Sequence, residues 1–220
     1  MRGVFVVKDY TRREIALAAT LSGVAGFVDA VGYLNLGGFF VSFMSGNSTR
    51  LGVSLGEGAF AQAGQAAGLI GLFLIGVIGG ALVARAGKMR RTPVLAAEAL
   101  LLTAGAIAFS FGSNTIGVTG LVLAMGVENA VFQRDGEVAV GLTYMTGALV
   151  KTGQRIAAAL TGGDRFAWVP YLALWAALST GAAIGAACYL RSGAASIWFA
   201  AGLVAILTLR SAAAEKIRPF

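Results

Sequence analysis

Residues 39–56 read FFVSFMSGNSTRLGVSLG, a polar, hydroxyl-rich stretch with three glycines, set between two apolar runs. A second stretch, residues 141–155, answers it: GLTYMTGALVKTGQR. Met44-Ser45-Gly46 aligns with Met145-Thr146-Gly147, and Arg50-x-Gly52 with Lys151-x-Gly153, both at an offset of 101 residues. Just upstream, Gly26-x-x-Asp29-Ala30 aligns with Gly126-x-x-Asn129-Ala130 at an offset of 100. The chain therefore reads as two homologous halves. In each, an apolar helix ends in an acid or amide, and a polar Met-Ser/Thr-Gly turn comes next. Ser45, Asn47, Thr49 and Thr146 have short side chains suited to capping free N–H groups at a helix start, and the glycines permit tight backbone.

The flanking composition sets the environment of these turns. Of 220 residues, 57% are apolar and 12% charged, with 32 glycines and a mean hydropathy of +0.79. A soluble domain carries about a quarter charged residues, so the chain reads as one integral membrane domain, residues 1–220. The single cysteine, Cys188, lies in an apolar run and reads as a small buried hydrophobe. The chain has no histidine, which excludes His-based metal sites, triads and proton relays. No phosphate-binding loop, metal-ligand cluster or nucleophile–base pair is visible, so no cofactor and no enzyme activity are expected. The N-terminal apolar run is longer than the roughly 7–15 residues of a signal-peptide core.

Six spans are expected, near residues 15–34, 59–84, 94–111, 115–132, 166–189 and 194–209, each near the roughly 20 residues a crossing helix needs. The loop 133–163 holds the second motif and an amphipathic piece near residues 151–160. Lysine and arginine set the orientation. With the N-terminus inside, 15 of the 17 basic residues fall on inner segments: Arg2, Lys8, Arg12, Arg13, Arg85, Lys88, Arg90, Arg91, Arg134, Lys151, Arg155, Arg165, Arg210, Lys216 and Arg218. Only Arg50 and Arg191 fall outside. Both termini are then cytoplasmic, and the net charge of +7 is a topogenic signal instead of a nucleic-acid footprint. Trp168, Tyr171 and Tyr189 stand at the ends of the fifth span, as interfacial aromatics do. Three spans per half make the second half upside down relative to the first. The fold class expected is thus all-α: a polytopic bundle of two inverted three-helix repeats, about 14–111 and 115–210, a recurring plan of secondary transporters.

Several residues carry the functional expectation. The two turns read as re-entrant or broken-helix elements, whose free N–H groups and dipole favour an anion or polar solute. The plainer alternative is two interfacial loops with ordinary caps, but the motif occurs twice in symmetric places. The substrate-binding candidates are Asp29, Ser45, Gly46, Asn47, Arg50, Glu128, Asn129, Thr146, Gly147 and Lys151. Arg50 and Lys151 match across the repeat, with snorkelling interfacial cations as the plainer role. Asp29 and Glu128 are intramembrane acids, which usually face a cavity or a partner, unless they sit at headgroup level. Asn129 aligns with Asp29 better than Glu128 does. Glu98 reads as an inner-interface residue without function. Gly76-x-x-x-Gly80 and Gly181-x-x-x-Gly185 suit close helix packing, either internal or in a homodimer.

Gly26-x-x-Asp29-Ala30-x-Gly32-Tyr33 together with Phe40-Val41-Ser42-x-Met44-Ser45-Gly46-Asn47 resembles the YoaK-like family of small bacterial inner-membrane proteins, over nearly the whole chain. Met-Ser-Gly-Asn stands where the family tends to have Met-Thr-Gly-Asn. The resemblance implies about six membrane helices and a domain without assigned activity, so it supplies no ligand residues. The reading that results is a secondary transporter or facilitator for a small polar or anionic solute in the bacterial inner membrane. A non-transporting scaffold or accessory protein is the alternative. Membrane lipids are expected partners, nucleic acid is not.

Overall fold

The computed structural model describes residues 11–87, 90–134, 137–138 and 141–217. Arg2, Lys8, Lys88 and Arg218 of the basic segments lie outside the described residues. Among those described the chain forms eight α-helices, not six: α1 (Arg12–Asn35), α2 (Met44–Gly56), α3 (Phe60–Ala86), α4 (Arg91–Ser110), α5 (Asn114–Glu128), α6 (Met145–Leu160), α7 (Val169–Ser192) and α8 (Ile197–Ile217). The two beyond the six expected spans are α2 and α6, which carry the polar motifs read as re-entrant or broken-helix elements. A minimal antiparallel ribbon pairs Gln133 with Val138 and Arg134 with Glu137 before α6.

Four helical stretches are long and apolar enough to cross a membrane: Arg12–Asn35, Phe60–Ala86, Arg91–Ser110 and Val169–Lys216. The last is α7 and α8 joined by a 3-10 turn at Gly193–Ser196, where Gly193 has φ +59°, a conformation other residues resist. Helix α5 stops at Glu128, four residues before the expected end. At about 1.5 Å per residue its 15 residues reach about 22 Å, short of a hydrocarbon core of about 30 Å. Beyond its last turn, Asn129–Phe132 is non-helical and buried. Backbone of this kind is tolerated at membrane depth only inside protein or beside a water-filled cavity.

Polar contacts gather at two opposite ends of the bundle. At one, Thr11 and Glu14 form a capping box that starts α1, Arg91 of α4 bonds Glu14 at 2.6 Å, and Thr92 reaches Glu215 and Ser211 of α8. At the other, the Asn35 amide donates to Asn114 at 2.6 Å and the Tyr189 hydroxyl donates to Asn35 at 3.3 Å. Helix α1 links the two ends, about 35 Å apart along its axis, with an apolar core between them. This spacing of polar ends matches a bilayer.

Glycines decide which helices meet. Helix α1 packs chiefly on α7 and α5 chiefly on α3 and α4. A β-carbon on Gly26 would strike the Leu178 carbonyl, and those on Gly181 and Gly185 would strike the backbone of Gly23 and Phe27. In the other pair, Gly76 and Gly126 oppose the backbone of Leu123 and Phe73, and Gly80 faces Val127. Small residues here bring helix backbones together, as lipid-embedded helices require. Both Gly-x-x-x-Gly pairs are therefore spent on contacts within the chain.

Candidate functional site

The site begins with Asp29. Its Oδ1 accepts the backbone N–H groups of Val41 and Ser42, at 2.9 and 2.7 Å. The loop that leaves α1 is thereby folded back against the carboxylate, and α2 starts directly after it. Asn47, fully buried, completes the clamp. Its Oδ1 accepts the Phe40 N–H at 3.0 Å and its amide donates to the Phe40 carbonyl at 2.8 Å.

The second half repeats the arrangement with an amide in place of the acid. The Thr143 hydroxyl donates to Asn129 Oδ1 at 3.3 Å, and the Asn129 amide donates to the Met125 carbonyl at 2.9 Å. The Ser22 hydroxyl of α1 holds the Leu142 carbonyl at 3.2 Å. Asp29 and Asn129 thus each tether the segment that enters a short polar helix.

The helix starts differ from expectation. No side chain caps α2, whose N-cap is Phe43, or α6, whose N-cap is Tyr144. The hydroxyls of Ser48, Thr49 and Thr152 donate instead to carbonyls one turn back, the usual alternative for Ser and Thr within a helix. The first-turn N–H groups at both starts thus have no side-chain cap, and among them Met44 N–H bonds the Ser42 carbonyl at 3.1 Å.

These two starts face one another. A cavity of about 220 Å³ is lined by Ser42 to Ser45 from the first motif and Thr143 to Gly147 from the second. A neighbouring cavity of about 420 Å³ is lined by Asp29, Tyr33, Phe40 and Ala182. The two share Ser42, Phe43, Thr143 and Met145. Of the expected residues, Asp29, Ser45, Thr146 and Gly147 line the cavities. Asn47 and Asn129 shape them from behind. Gly46 lies under the rings of Phe40 and Phe43, where a β-carbon has no room. Arg50 and Lys151 line neither cavity: Arg50 stacks on Phe39 at 5.1 Å and Lys151 on Tyr171 at 5.6 Å from the ring centroid.

Glu128 is turned away from the cavities toward the α4 interface. It is fully buried, as is Glu98 of α4, and none of their four carboxyl oxygens has a hydrogen-bond partner. Sequence reasoning puts Glu98 at the membrane interface, yet it stands on the buried stripe Leu95, Glu98, Leu102, Gly105. That helical spacing is the available signal. Ser42 and Thr143 escape the sequence reading as site residues, although the 101-residue offset extends to them.

Residues 17–210 match the family described as "Protein of unknown function (DUF1275)". The chain belongs to this family. Among relatives of this DUF1275 member, the UPF0700 transmembrane protein RA0705 of Rhizobium meliloti (strain 1021) is 33% identical over 194 residues, 88% of this chain and 84% of the relative. The UPF0700 transmembrane protein YoaK of Bacillus subtilis (strain 168) is 32% identical over 145 residues, 60% of this chain and 63% of the relative. No solved structure matches the chain. The resemblance drawn from the Asp29-to-Asn47 block therefore holds, and the DUF1275 chain is a multi-pass membrane protein.

Proposed function

We propose that this protein is a secondary transporter or facilitator of a small polar or anionic solute. The observation that carries the reading is the 220 Å³ cavity walled by both Met-Ser/Thr-Gly motifs. Residues a hundred positions apart line one space, and the N–H groups of two helix starts without side-chain caps lie at it beside the hydroxyls of Ser45 and Thr146. Such donors, with the positive ends of two helix dipoles, suit a carboxylate, phosphate-like or polar group. Arg50 and Lys151 add positive potential from their aromatic seats without direct contact.

The halves are read as an inverted repeat of four helices each, α1–α4 and α5–α8, in which α2 and α6 are the short polar pieces. The exchange of contacts supports this: α1 packs on α7 as α5 packs on α3, and α2 on α3 as α6 on α7. Alternating access by rocking of such halves is a known use of the plan. The end holding Thr11, Arg91 and Glu215 is assigned to the cytoplasm of a bacterial inner membrane, because the basic residues cluster there. Lipid chains are assigned to the apolar groove of about 580 Å³ along α1, α7 and α8.

The scaffold reading draws on a different fact: Asp29, Asn47 and Asn129 are all engaged with backbone or loop groups. Gly147→Leu separates the two. A β-carbon at Gly147 meets nothing within 4 Å, so the leucine fits without disturbing the fold and fills the cavity. The variant is expected to keep the parent's melting temperature and to lose both uptake into proteoliposomes and ligand-induced thermal shift, screened over a panel of small organic anions. Uptake equal to the parent's would remove the cavity from the pathway.

A further inference from the structure

Glu98 and Glu128 are not absorbed by the solute cavity. Both are fully buried, and all four carboxyl oxygens lack hydrogen-bond donors. They lie on α4 and α5, which pack closely together, and within electrostatic reach of each other. Their buried neighbours along the helices are apolar, among them Leu95, Leu102, Met125 and Val127, apart from Asn129, whose side chain is engaged with Met125 and Thr143. The elements packed on α4 and α5 carry few charges. These are Arg12, Arg13, Glu14 and Asp29 on α1, Arg85 on α3, and Arg210, Glu215 and Lys216 on α8. None of them bonds to either carboxyl group. Arg91, on α4 itself, is occupied by Glu14 and the Phe132 ring.

Two bare like charges in such surroundings have neither solvent nor counter-charge. Something positive must join them. A metal cation is poorly served: hard cations take six or more oxygen ligands, and no third acid, cysteine or histidine joins the pair among the described residues. A proton needs only one oxygen. We propose that Glu98 and Glu128 form a proton-binding pair, which makes the proton the coupling ion of the proposed transport, on which that last step rests. In the loading step one proton passes from water to a carboxylate oxygen. The first proton leaves one negative charge on the pair; a second leaves none. The pair is wired to the solute cavity through adjacent residues. Glu128 precedes Asn129, which holds Thr143, and Thr143 lines both cavities.

The test needs no solute, so its failure is separate from that of the transport reading. Infrared spectra of the full-length protein in phosphatidylcholine vesicles are recorded across a pH series. The parent is expected to show the C=O stretch of a buried protonated carboxyl at neutral pH, Glu98→Gln and Glu128→Gln are each expected to weaken or shift it, and the double variant is expected to lose it. Absence of the band in the parent, or its persistence unchanged in the double variant, would overturn the proposal. Labelling the parent's glutamates with ¹³C keeps the test decisive where the variants do not fold: the band must shift, and a band that stays belongs to another group and defeats the assignment. Sodium added at constant pH and ionic strength is expected to leave the band unchanged. Its loss on sodium addition would give the pair to a metal cation instead.

Discussion

Gly126→Leu is expected to leave little folded protein, while Gly68→Leu behaves like the parent. The two glycines lie on partner helices, and both substitutions improve intrinsic helix propensity by about 1 kcal/mol. Only the surroundings differ. At Gly126 a β-carbon runs into the Phe73 carbonyl and approaches the Gly76 Cα at 2.8 Å, whereas at Gly68 nothing lies within 4 Å. A side chain can yield by changing rotamer; a helix backbone yields only if the whole helix moves away. Overpacking of side chains already costs about 1–3 kcal/mol, and backbone contact places Gly126→Leu beyond that range. Gly26→Leu and Gly181→Leu, at the α1–α7 contact, are expected to match it. Size-exclusion profiles and melting temperatures in detergent read the outcome. A Gly126→Leu protein as monodisperse and as stable as Gly68→Leu would show that α3 and α5 are not in backbone contact.

Asp29→Ala is expected to cost about 3–6 kcal/mol, from two hydrogen bonds to a charged acceptor at about 1.5–3 kcal/mol each. The amides of Val41 and Ser42 would lose their acceptor, and the loop that delivers α2 to the cavity would lose its anchor. Asp29→Asn is expected to recover most of that stability, because an amide oxygen still accepts both N–H groups. Asn129 does comparable work in the other half, holding Thr143 through its Oδ1. Melting temperatures of the two variants are the measure. Asn as damaging as Ala would show that the negative charge, and not the acceptor geometry, is the requirement at this position.

The pairing of Asp29 with Asn129, and of the two Met-Ser/Thr-Gly turns, is legible in the sequence because the offset of about 100 residues is visible without structure. Gly76, Gly80, Gly181 and Gly185 are legible as packing residues, since small residues at four-residue spacing have few other uses in a membrane. Their partners are not: nothing local says that α1 lies on α7 and α5 on α3. The short helices are legible as broken-helix elements but their extent is not, because hydroxyl residues suit both caps and helix interiors, and here they back-bond to carbonyls instead of capping. Symmetry alone puts Arg50 and Lys151 at the cavity, but their long side chains reach the rings of Phe39 and Tyr171. Distance from the helix start makes Glu98 look interfacial, whereas its spacing from Leu95 and Leu102 puts it on the buried stripe.

The proposed transport requires the two polar motifs to share one water-filled cavity within the membrane. Ser45 and Thr146 are exposed in the protein alone, so either water or lipid faces them in the bilayer. Single cysteines at these positions, Ser45→Cys and Thr146→Cys, are placed in a Cys188→Ser background and treated in sealed vesicles with a charged, water-soluble methanethiosulfonate. Ala66→Cys, at a fully buried position, sets the unreactive level. Both cysteines are expected to react well above that level, and the Gly147→Leu change is expected to slow both. Reactivity at Ser45→Cys and Thr146→Cys no greater than at Ala66→Cys would mean that lipid or protein fills the space, and would rule out a shared aqueous site.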